Sequence, residues 1–227
     1  MSGAGSTGSV ATVEVRPATP IVHGSIGIMG GTFDPIHVGH LAAAEEAREA
    51  LGLERILFVP AGQPPHKPGR PVTPASDRVA MVELAIAGNV AFELSRVEID
   101  REGPSYTADT VELLAAAERA DGRQPDLTLI LSVESFHGLP SWHEPRRILE
   151  RCRLAVVPRG GFPPPERAWL AEQFRGVPVR VAFLDAPRLR LSGSEIRRRV
   201  AAGRSIRYLV PDAVIGYIGD HGLYKAA

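Results

Sequence analysis

Two histidines beside a glycine-framed turn give the strongest chemical signal in the sequence, within the segment GGTFDPIHVGH. His37 and His40 follow an apolar run and stand where a helix is expected to begin, beside free helical N–H groups. Gly30 and Gly31 permit a sharp turn and close approach of a ligand, and Gly39 opens the helix. Imidazoles donate hydrogen bonds to phosphate oxygens, and a protonated imidazole also offsets developing negative charge. The segment therefore predicts a phosphate-binding site.

The alternatives for this segment are a zinc-binding pair and histidines that only cap and pack. A zinc site needs further ligands at defined spacing, and the one cysteine, Cys152, lies elsewhere among apolar residues. Structural histidines are common, but they do not explain the adjoining glycines. We therefore favour phosphate binding and include Thr32 and Phe33, which connect the glycines to the histidines, among the expected phosphate-binding residues.

A second segment, LSGSEIRRRV, has the pattern of a helix start that binds an anion. Ser192 and Glu195 have the spacing of a capping box, which predicts a helix beginning there. The N–H groups of Gly193 and Ser194 then face an anion, and Arg197, one turn further, adds a charge-assisted hydrogen bond. On these residues alone, an ordinary basic helix start is the alternative.

The composition is typical of one globular domain. The chain has 227 residues, of which 44% are hydrophobic and 23% charged, enough to bury a core without requiring several domains. Lys plus Arg and Asp plus Glu each total 26, so the net charge is zero. A protein that holds nucleic acid by general phosphate neutralisation is expected to be basic, so we predict no nucleic-acid partner.

Neither a membrane segment nor an export signal is expected. No apolar run approaches the roughly 18 residues of a membrane helix, and the N-terminus lacks a basic start and an apolar centre. A single cysteine permits no internal disulfide, which fits a cytoplasmic protein. Residues 1–24, rich in Gly, Ser, Thr and Ala, are predicted to be a disordered tail before a single domain over 25–227. The sequence is compatible with a homo-oligomer.

Strand and helix patterns alternate from residue 25 onward. The strands are apolar throughout rather than on every second residue, as in a parallel sheet covered on both faces. Strands are expected at 25–31, 55–60, 91–95, 127–132, 154–157 and 179–183, and helices at 40–53, 77–87, 107–120, from 192 and from 211. This pattern predicts an α/β fold with a doubly wound parallel sheet and helices on both faces. Ligands bind such sheets at the carboxyl ends of the strands, where the histidine segment falls.

Both phosphate segments resemble the signatures of the nucleotidylyltransferase superfamily. GGTFDPIHVGH matches its pattern GxFxPxHxGH, and LSGSEIR resembles its second signature, ISSTxIR. From about residue 25 onward the chain is similar to bacterial nicotinate-mononucleotide adenylyltransferases, through VPAGQPPHK, REGPSYTADT and IRYLVPDAVIGYIGDHGLY. The resemblance implies a Rossmann-like nucleotidyltransferase fold and an enzyme of NAD biosynthesis. Such an enzyme joins ATP to nicotinate mononucleotide, giving deamido-NAD and pyrophosphate.

The resemblance implies direct in-line attack of the mononucleotide phosphate on ATP, with catalysis assigned to His37, His40 and Arg197. Phosphate binding is assigned to the small residues around them, namely Gly30, Gly31, Thr32, Phe33, Gly39, Ser192 and Ser194. Mg²⁺ is expected as a cofactor that enters with ATP. Because substrate oxygens and water usually hold most of its coordination shell, we expect no metal ligand from the protein.

The mononucleotide is expected to bind near three other segments. Lys67, in a proline-stiffened loop, is predicted to reach a phosphate, although such a lysine is more often only solvated. Ser105, Tyr106 and Thr107 begin a helix, where Thr107 either only caps it or lies among N–H groups that meet the nicotinate carboxylate. Trp142, in a loop after a buried strand, either packs or stacks on the pyridine ring.

Two departures from the family pattern bear on the site. Gly193 and Ser194 stand where the second signature has Ser and Thr, a change that keeps one hydroxyl. Ser132, Val133 and Glu134 stand where the family has Gly, a small residue and Asp. A side chain in place of the glycine, and the longer reach of glutamate, are expected to alter adenosine binding.

Two alternative functions stay open on the sequence. A related adenylyltransferase acting on nicotinamide mononucleotide or phosphopantetheine shares both signatures, although PPHK, GPSYTADT and Trp142 count against phosphopantetheine. A catalytically silent nucleotide-binding regulator is suggested only by the change at Ser132, Val133 and Glu134. The preference for acid over amide depends on whether the pocket offers donors or acceptors, which the sequence does not reveal.

Overall fold

The structure is a computed structural model that describes residues 11–12, 20–64, 72–163 and 167–225. Within these ranges, seven strands form one sheet whose neighbours all run parallel. The strands are β1 (Ala11–Thr12), β2 (Val22–Gly31), β3 (Leu53–Pro60), β4 (Phe92–Leu94), β5 (Asp126–Ser132), β6 (Cys152–Val157) and β7 (Arg180–Phe183). Their order is β1-β7-β6-β5-β2-β3-β4, so the chain winds outward in both directions from the central pair β2 and β5.

Helices cover both faces of this sheet. They are α1 (Val38–Leu51), α2 (Ala75–Ile86), α3 (Thr107–Ala120), α4 (Val133–Gly138), α5 (Pro145–Arg151), α6 (Arg167–Gln173), α7 (Gly193–Ala201) and α8 (Asp212–Asp220), with a short 3₁₀ helix at Leu139–Ser141. One apolar layer joins the sheet to α3 and α5 through residues such as Val111 and Ile148. The other joins it to α1, α2, α7 and α8 through residues such as Ala47 and Val214. The predicted doubly wound α/β fold is confirmed.

Strand β5 shows why the strands have continuous apolar runs. Leu127, Leu129 and Leu131 belong to one apolar layer, whereas Ile130 belongs to the other. Both faces of the strand are therefore buried between helices, which is the environment in which a parallel strand loses the alternation of polar and apolar residues.

Most predicted elements are present, with ends shifted by a few residues. Helix α3 begins and ends where predicted. Helix α1 ends at Gly52, whose left-handed backbone (φ 62°) lets its N–H reach the carbonyls of Arg48 and Glu49. The placement of Pro211 inside the last helix is wrong by one position, because Pro211 is the N-cap of α8. Proline suits that position since the helix needs no N–H from it.

The N-terminal boundary differs slightly from the prediction at residue 25. Strand β2 already begins at Val22, and Ala11–Thr12 pairs with β7 at one edge of the sheet. Residues 1–10 and 13–19 lie outside the described residues. The disordered tail and the single-domain organisation therefore stay predictions.

Candidate active site

The reversal of strand order between β2 and β5 opens a crevice at the carboxyl ends of the central strands. A cavity of about 740 Å³ occupies this crevice, and a second cavity of about 400 Å³ shares part of its wall. The predicted site residues lining one or both cavities are Gly30, Gly31, Thr32, Phe33, His37, Gly39, His40, Ser105, Tyr106, Thr107, Glu134, Trp142, Ser192, Ser194 and Arg197. Lys67 lies outside the described residues. The other predictions thus converge on one place.

Gly30 and Gly31 lie at the end of β2 rather than in the turn. The expectation that they form the sharp turn is wrong, because the left-handed backbone occurs at Phe33, where φ is 49°. Their small size still matters. A Cβ atom on Gly31 would lie 3.0 Å from the Phe33 ring, whereas one on Gly30 would have no protein atom within 4 Å. The backbone of Gly30, in the cavity wall, is therefore open to close approach by a ligand.

Arg78 of α2 supports the loop between β2 and α1, a role that the sequence did not reveal. Its buried side chain donates to the carbonyl oxygens of Thr32 at 2.8 Å and Thr73 at 2.9 Å. Burial lowers the pKa of Arg78, and the Asp34 carboxylate opposes that shift. Asp34, also buried, accepts a hydrogen bond of 2.8 Å from the Tyr224 hydroxyl. The loop is thus fastened to both α2 and the C-terminal segment.

His37 and His40 lie ring against ring at the start of α1. Their ring centroids are 3.7 Å apart, at an interplanar angle of 18°. The backbone N–H of His37, the N-cap residue, donates to Nδ1 of His40 at 3.3 Å. Because Nδ1 accepts this bond, we assign the proton of neutral His40 to Nε2. The Phe33 ring packs edge-on against His40 from another side, with centroids 5.0 Å apart.

Both imidazoles are neutral at neutral pH. Burial, and secondarily the positive charge of Arg159, lowers the pKa of His37 from 6.5 to about 4. Burial also lowers the pKa of His40 well below 6.5, and His37 and Arg159 add to this shift. The hypothesis of a protonated histidine is therefore wrong for this arrangement, because an imidazolium here would be desolvated beside other cations. Neutral imidazoles remain hydrogen-bond donors.

The Nδ1 atom of His37 is buried, and the His37 side chain lies over the first turn of α1 in the arrangement of a capping box with His40. This nitrogen lies against the helix start, while the ring itself borders the cavity. Gly39 leaves room around this ring, because a Cβ atom there would lie 3.1 Å from the same nitrogen.

Helix α7 begins where the capping pattern predicted. Ser192 is its N-cap, and the Oγ of Ser192 accepts a hydrogen bond of 3.2 Å from the N–H of Glu195. The Glu195 carboxylate pairs with Arg198 rather than returning to the cap. The serine half of the predicted capping box is therefore confirmed.

Arg197 and Gly193 pack the start of α7 against the loop between β2 and α1, which leads to His37. Arg197 donates to the carbonyl oxygen of Asp34 at 2.6 Å and to Oγ of Ser194 at 3.3 Å. A Cβ atom at position 193 would lie only 2.4 Å from the same carbonyl oxygen. Glycine in place of the family's serine is thus matched to this close approach, while Ser194 keeps a hydroxyl in the cavity wall.

Ser105 fastens the loop after β3 to the start of α3. Its Oγ accepts hydrogen bonds from the N–H groups of Gly62 at 2.9 Å and Gln63 at 3.1 Å. Thr107 is the first residue of α3, whereas Tyr106 is the N-cap and makes no side-chain capping bond. The predicted Thr107 cap is therefore wrong. Thr107 instead lies in the walls of both cavities.

Glu98 is a buried carboxyl in the wall of the larger cavity that the sequence did not reveal. The Thr110 hydroxyl donates to its Oε1 at 2.6 Å. Burial raises the pKa of Glu98, and hydrogen bonds from Thr110 and Ser105 oppose the shift. Its burial depends on Gly62, where a Cβ atom would lie 2.2 Å from the Glu98 carbonyl oxygen. No local pattern distinguishes this glutamate from a solvated one.

The smaller cavity lies between the start of α3 and the loop before α5. The rings of Tyr106 and His143 stack across it, with centroids 4.1 Å apart. Trp142 packs partly against the apolar layer that contains α3 and α5, and it also lines both cavities. The indole therefore packs on apolar residues and also borders the cavities, where it can contact a ligand.

Ser132 and Glu134 lie at the rim, where the chain leaves β5. Ser132 is the N-cap of α4, and its Oγ accepts a hydrogen bond of 3.2 Å from the N–H of Ser135. Glu134, in the first turn of α4, forms an ion pair with Arg159, which follows β6 and was not predicted. The side chains that replace the family's glycine and aspartate thus have partners of their own.

Metal ligands and membrane segments were also sought among the described residues. No group of three or more His, Cys, Asp or Glu residues there could hold a metal ion. None of the described helices is long and apolar enough to cross a membrane. Cys152 is a buried free thiol, and burial raises its pKa to about 12.

The strand order, the glycine–histidine loop and the second helix start define a nucleotidyltransferase. Residues 28–199 match the family model described as cytidylyltransferase-like, a range that includes both phosphate segments. The fold and the loops at the carboxyl edge of the sheet therefore identify the protein as a nucleotidyltransferase.

Two relatives with similar sequences indicate which family of nucleotidyltransferases the chain belongs to. A probable nicotinate-nucleotide adenylyltransferase from Roseiflexus sp. (strain RS-1) is 50% identical, covering 88% of this chain and 98% of the relative. Another, from Thermomicrobium roseum, is 48% identical, covering 88% of this chain and 91% of the relative. The chain belongs to the nicotinate-nucleotide adenylyltransferase family.

Solved structures agree on the fold. Plasmodium falciparum nicotinic acid mononucleotide adenylyltransferase complexed with NaAD matches with a TM-score of 0.69 at 19% identity, covering 89% of this chain and 98% of that one. A putative nicotinate-nucleotide adenylyltransferase from Vibrio parahaemolyticus matches with a TM-score of 0.63 at 16% identity, covering 89% and 96%.

Proposed function

We propose that this chain transfers the adenylyl group of ATP to the 5′-phosphate of nicotinate mononucleotide, giving deamido-NAD and pyrophosphate. The observation that carries the proposal is a single cavity of about 740 Å³ bounded by both phosphate segments and by Ser105, Thr107 and Trp142 on the acceptor side. Two nucleotides bound at these two sides would meet between β2 and β5.

The reaction is a direct displacement at phosphorus. An oxygen of the mononucleotide phosphate attacks the α-phosphorus of ATP, a new P–O bond forms, and the bond to the β-phosphate oxygen breaks. Pyrophosphate carries away the electron pair of that bond. Such a transfer depends on holding the two phosphates in line and on stabilising the charge of the transition state.

The histidine pair acts on the triphosphate as neutral donors in this proposal. Nε2–H of His40 and the ring of His37 supply polar contacts in a desolvated wall, where each hydrogen bond is electrostatically stronger than in water. Ser194 and Arg197 contact the phosphates from the opposite segment. Arg197 is already oriented by Asp34, so little ordering entropy is lost when phosphate binds.

The part of the cavity that binds nicotinate mononucleotide, the acceptor, is assigned to the start of α3 and the loop that carries Trp142. The free N–H groups and positive dipole end of this helix favour the nicotinate carboxylate. Trp142 supplies an aromatic face for the pyridine ring. Lys67 remains our predicted contact to the mononucleotide phosphate.

Mg²⁺ is proposed to enter as the ATP complex. The donor set around the cavity fits this role because carboxylate clusters are not needed when phosphate oxygens and water hold the ion. When bound, the ion neutralises phosphate charge, while the residues above position the substrates. A cytoplasmic location is part of the same proposal, supported by the free, buried Cys152.

Pyrophosphate release by the purified chain tests this function. The assay contains ATP and Mg²⁺ with nicotinate mononucleotide, nicotinamide mononucleotide or phosphopantetheine as acceptor. We expect the highest kcat/KM with nicotinate mononucleotide. Higher kcat/KM with another acceptor would contradict the proposed substrate, and no release with any of them would favour a nucleotide-binding regulator.

A further inference from the structure

An ion pair between Glu134 and Arg159 spans the rim of the cavity. Glu134 lies two residues beyond the end of β5, and Arg159 lies two residues beyond the end of β6. The two strands are neighbours, and their last residues, Ser132 and Val157, are paired in register. The strands therefore bring the carboxylate and the guanidinium face to face.

Both side chains face the nucleotide cavity and remain accessible. The side chain of Arg159 is 34% exposed and that of Glu134 is 45% exposed, and both line the larger cavity. An ion pair this exposed is weak, so an incoming anion can replace the carboxylate at modest cost.

Arg159 also lines the same cavity as His37 and His40. Its positive charge contributes to lowering the pKa values of both His37 and His40, so it acts electrostatically on the histidine pair. A guanidinium beside two neutral imidazoles is suited to a polyphosphate, because it supplies the positive charge that they lack.

We propose that Arg159 binds the triphosphate of ATP and that Glu134 is its built-in competitor, which holds the guanidinium until phosphate replaces the carboxylate. This inference rests on the proposed function of the cavity and assigns two further residues to nucleotide affinity. ATP wins the exchange because its triphosphate carries more negative charge than one carboxylate. The competition lowers the affinity for phosphate-bearing ligands and leaves a nucleoside without phosphate unaffected.

The same two strands provide a matched control at their other ends. Asp126, the first residue of β5, pairs with Arg153, the second residue of β6, at 2.5 Å. The exposed fractions of these side chains, 38% and 35%, are similar to those of the rim pair. Asp126→Asn therefore removes a comparable ion pair from the same strands at the edge opposite the cavity.

Calorimetric titration of the full chain with Mg²⁺–ATP or with adenosine tests the competition. The variants are Glu134→Gln, Arg159→Met, their combination and Asp126→Asn. No acceptor is added, so binding is measured whether or not the chain transfers an adenylyl group. Thermal unfolding of each variant reports whether it is folded.

The expected pattern is specific to phosphate. Glu134→Gln should lower the Kd for ATP by about two- to fivefold, the range expected for an exposed ion pair. Arg159→Met should raise this Kd by about tenfold or more, as expected for loss of a charge-assisted hydrogen bond. In the Arg159→Met background, Glu134→Gln should have no effect on ATP binding. Asp126→Asn should leave the Kd for ATP unchanged, and Glu134→Gln should leave that for adenosine unchanged.

Two results would overturn the inference. Weaker binding of both ATP and adenosine by Glu134→Gln would make Glu134 a nucleoside ligand instead of a competitor. An unchanged Kd for ATP in Glu134→Gln or Arg159→Met would make the pair structural. If the expected shifts occur but no acceptor supports pyrophosphate release, the proposed reaction fails and the competition stands.

Discussion

The two edges of the central sheet use charge in opposite ways. At the amino edge, the buried Glu118 accepts hydrogen bonds from Arg55 at 2.7 Å and Arg123 at 2.6 Å. At the carboxyl edge, His37 and His40 line the cavity, and a Cβ atom on Gly30 would have no protein atom within 4 Å. The Glu118 carboxylate is thus paired within the protein, whereas the histidine pair and the Gly30 backbone line a cavity.

This difference indicates which edge of the sheet carries stabilising ion pairs and which edge carries the candidate ligand-binding residues. Strands and helices that meet at the amino edge are joined by charges that contribute to folding. The loops at the carboxyl edge are anchored from behind, by Arg78 and by Tyr224, while other residues of these loops line the cavity. Substitutions at the amino edge should therefore change the free energy of unfolding alone, whereas substitutions of the histidine pair should also change kcat.

Acidification should affect the carboxyl edge most strongly. The folded pKa of His37, about 4, lies below its unfolded value of 6.5, so the unfolded chain binds more protons between these values. The free energy of unfolding should therefore fall as pH decreases from 6.5 to 4, by about 3 kcal/mol from this residue alone. His40, which is partly buried, contributes in the same direction.

Urea denaturation across this pH range measures the effect. A His37→Asn variant keeps a good N-cap and should show a shallower loss of stability than the parent chain. If parent and variant lost stability with the same slope, His37 would not be the buried neutral group described above.

The amino edge should respond to Glu118→Gln with a smaller loss, confined to stability. Removing the charge weakens the hydrogen bonds from Arg55 and Arg123 and should lower the free energy of unfolding by about 1–2 kcal/mol. Glu93→Gln is the matched control, because exposed Glu93 contacts the same Arg55 at 3.7 Å. It should cost less than about 0.5 kcal/mol. Equal losses in urea denaturation would show that burial of Glu118 adds nothing.

The sequence predicted features that depend on local pattern. Apolar runs defined the strands, and Gly103 with Pro104 preceded the predicted start of α3. The histidine loop and the Ser192 cap were located for the same reason.

The features that the sequence did not predict depend on contacts between residues that are far apart in the chain. Tyr224 reaches Asp34 across 190 residues, and Arg197 reaches Asp34 across 163. The charge state of the histidines was also wrong, because it depends on burial and on Arg159. The contact of Lys67 with the mononucleotide phosphate stays a prediction.

The most direct test of the account compares pyrophosphate release by His40→Asn and Glu118→Gln, with ATP, Mg²⁺ and nicotinate mononucleotide at saturation. Loss of the Nε2–H donor at the carboxyl edge should lower kcat by about 100-fold or more, as for other donors to a transition state. Glu118→Gln should retain the kcat of the parent chain. A His40→Asn variant with nearly the parent kcat would contradict a catalytic role for the histidine pair and for the carboxyl edge as described.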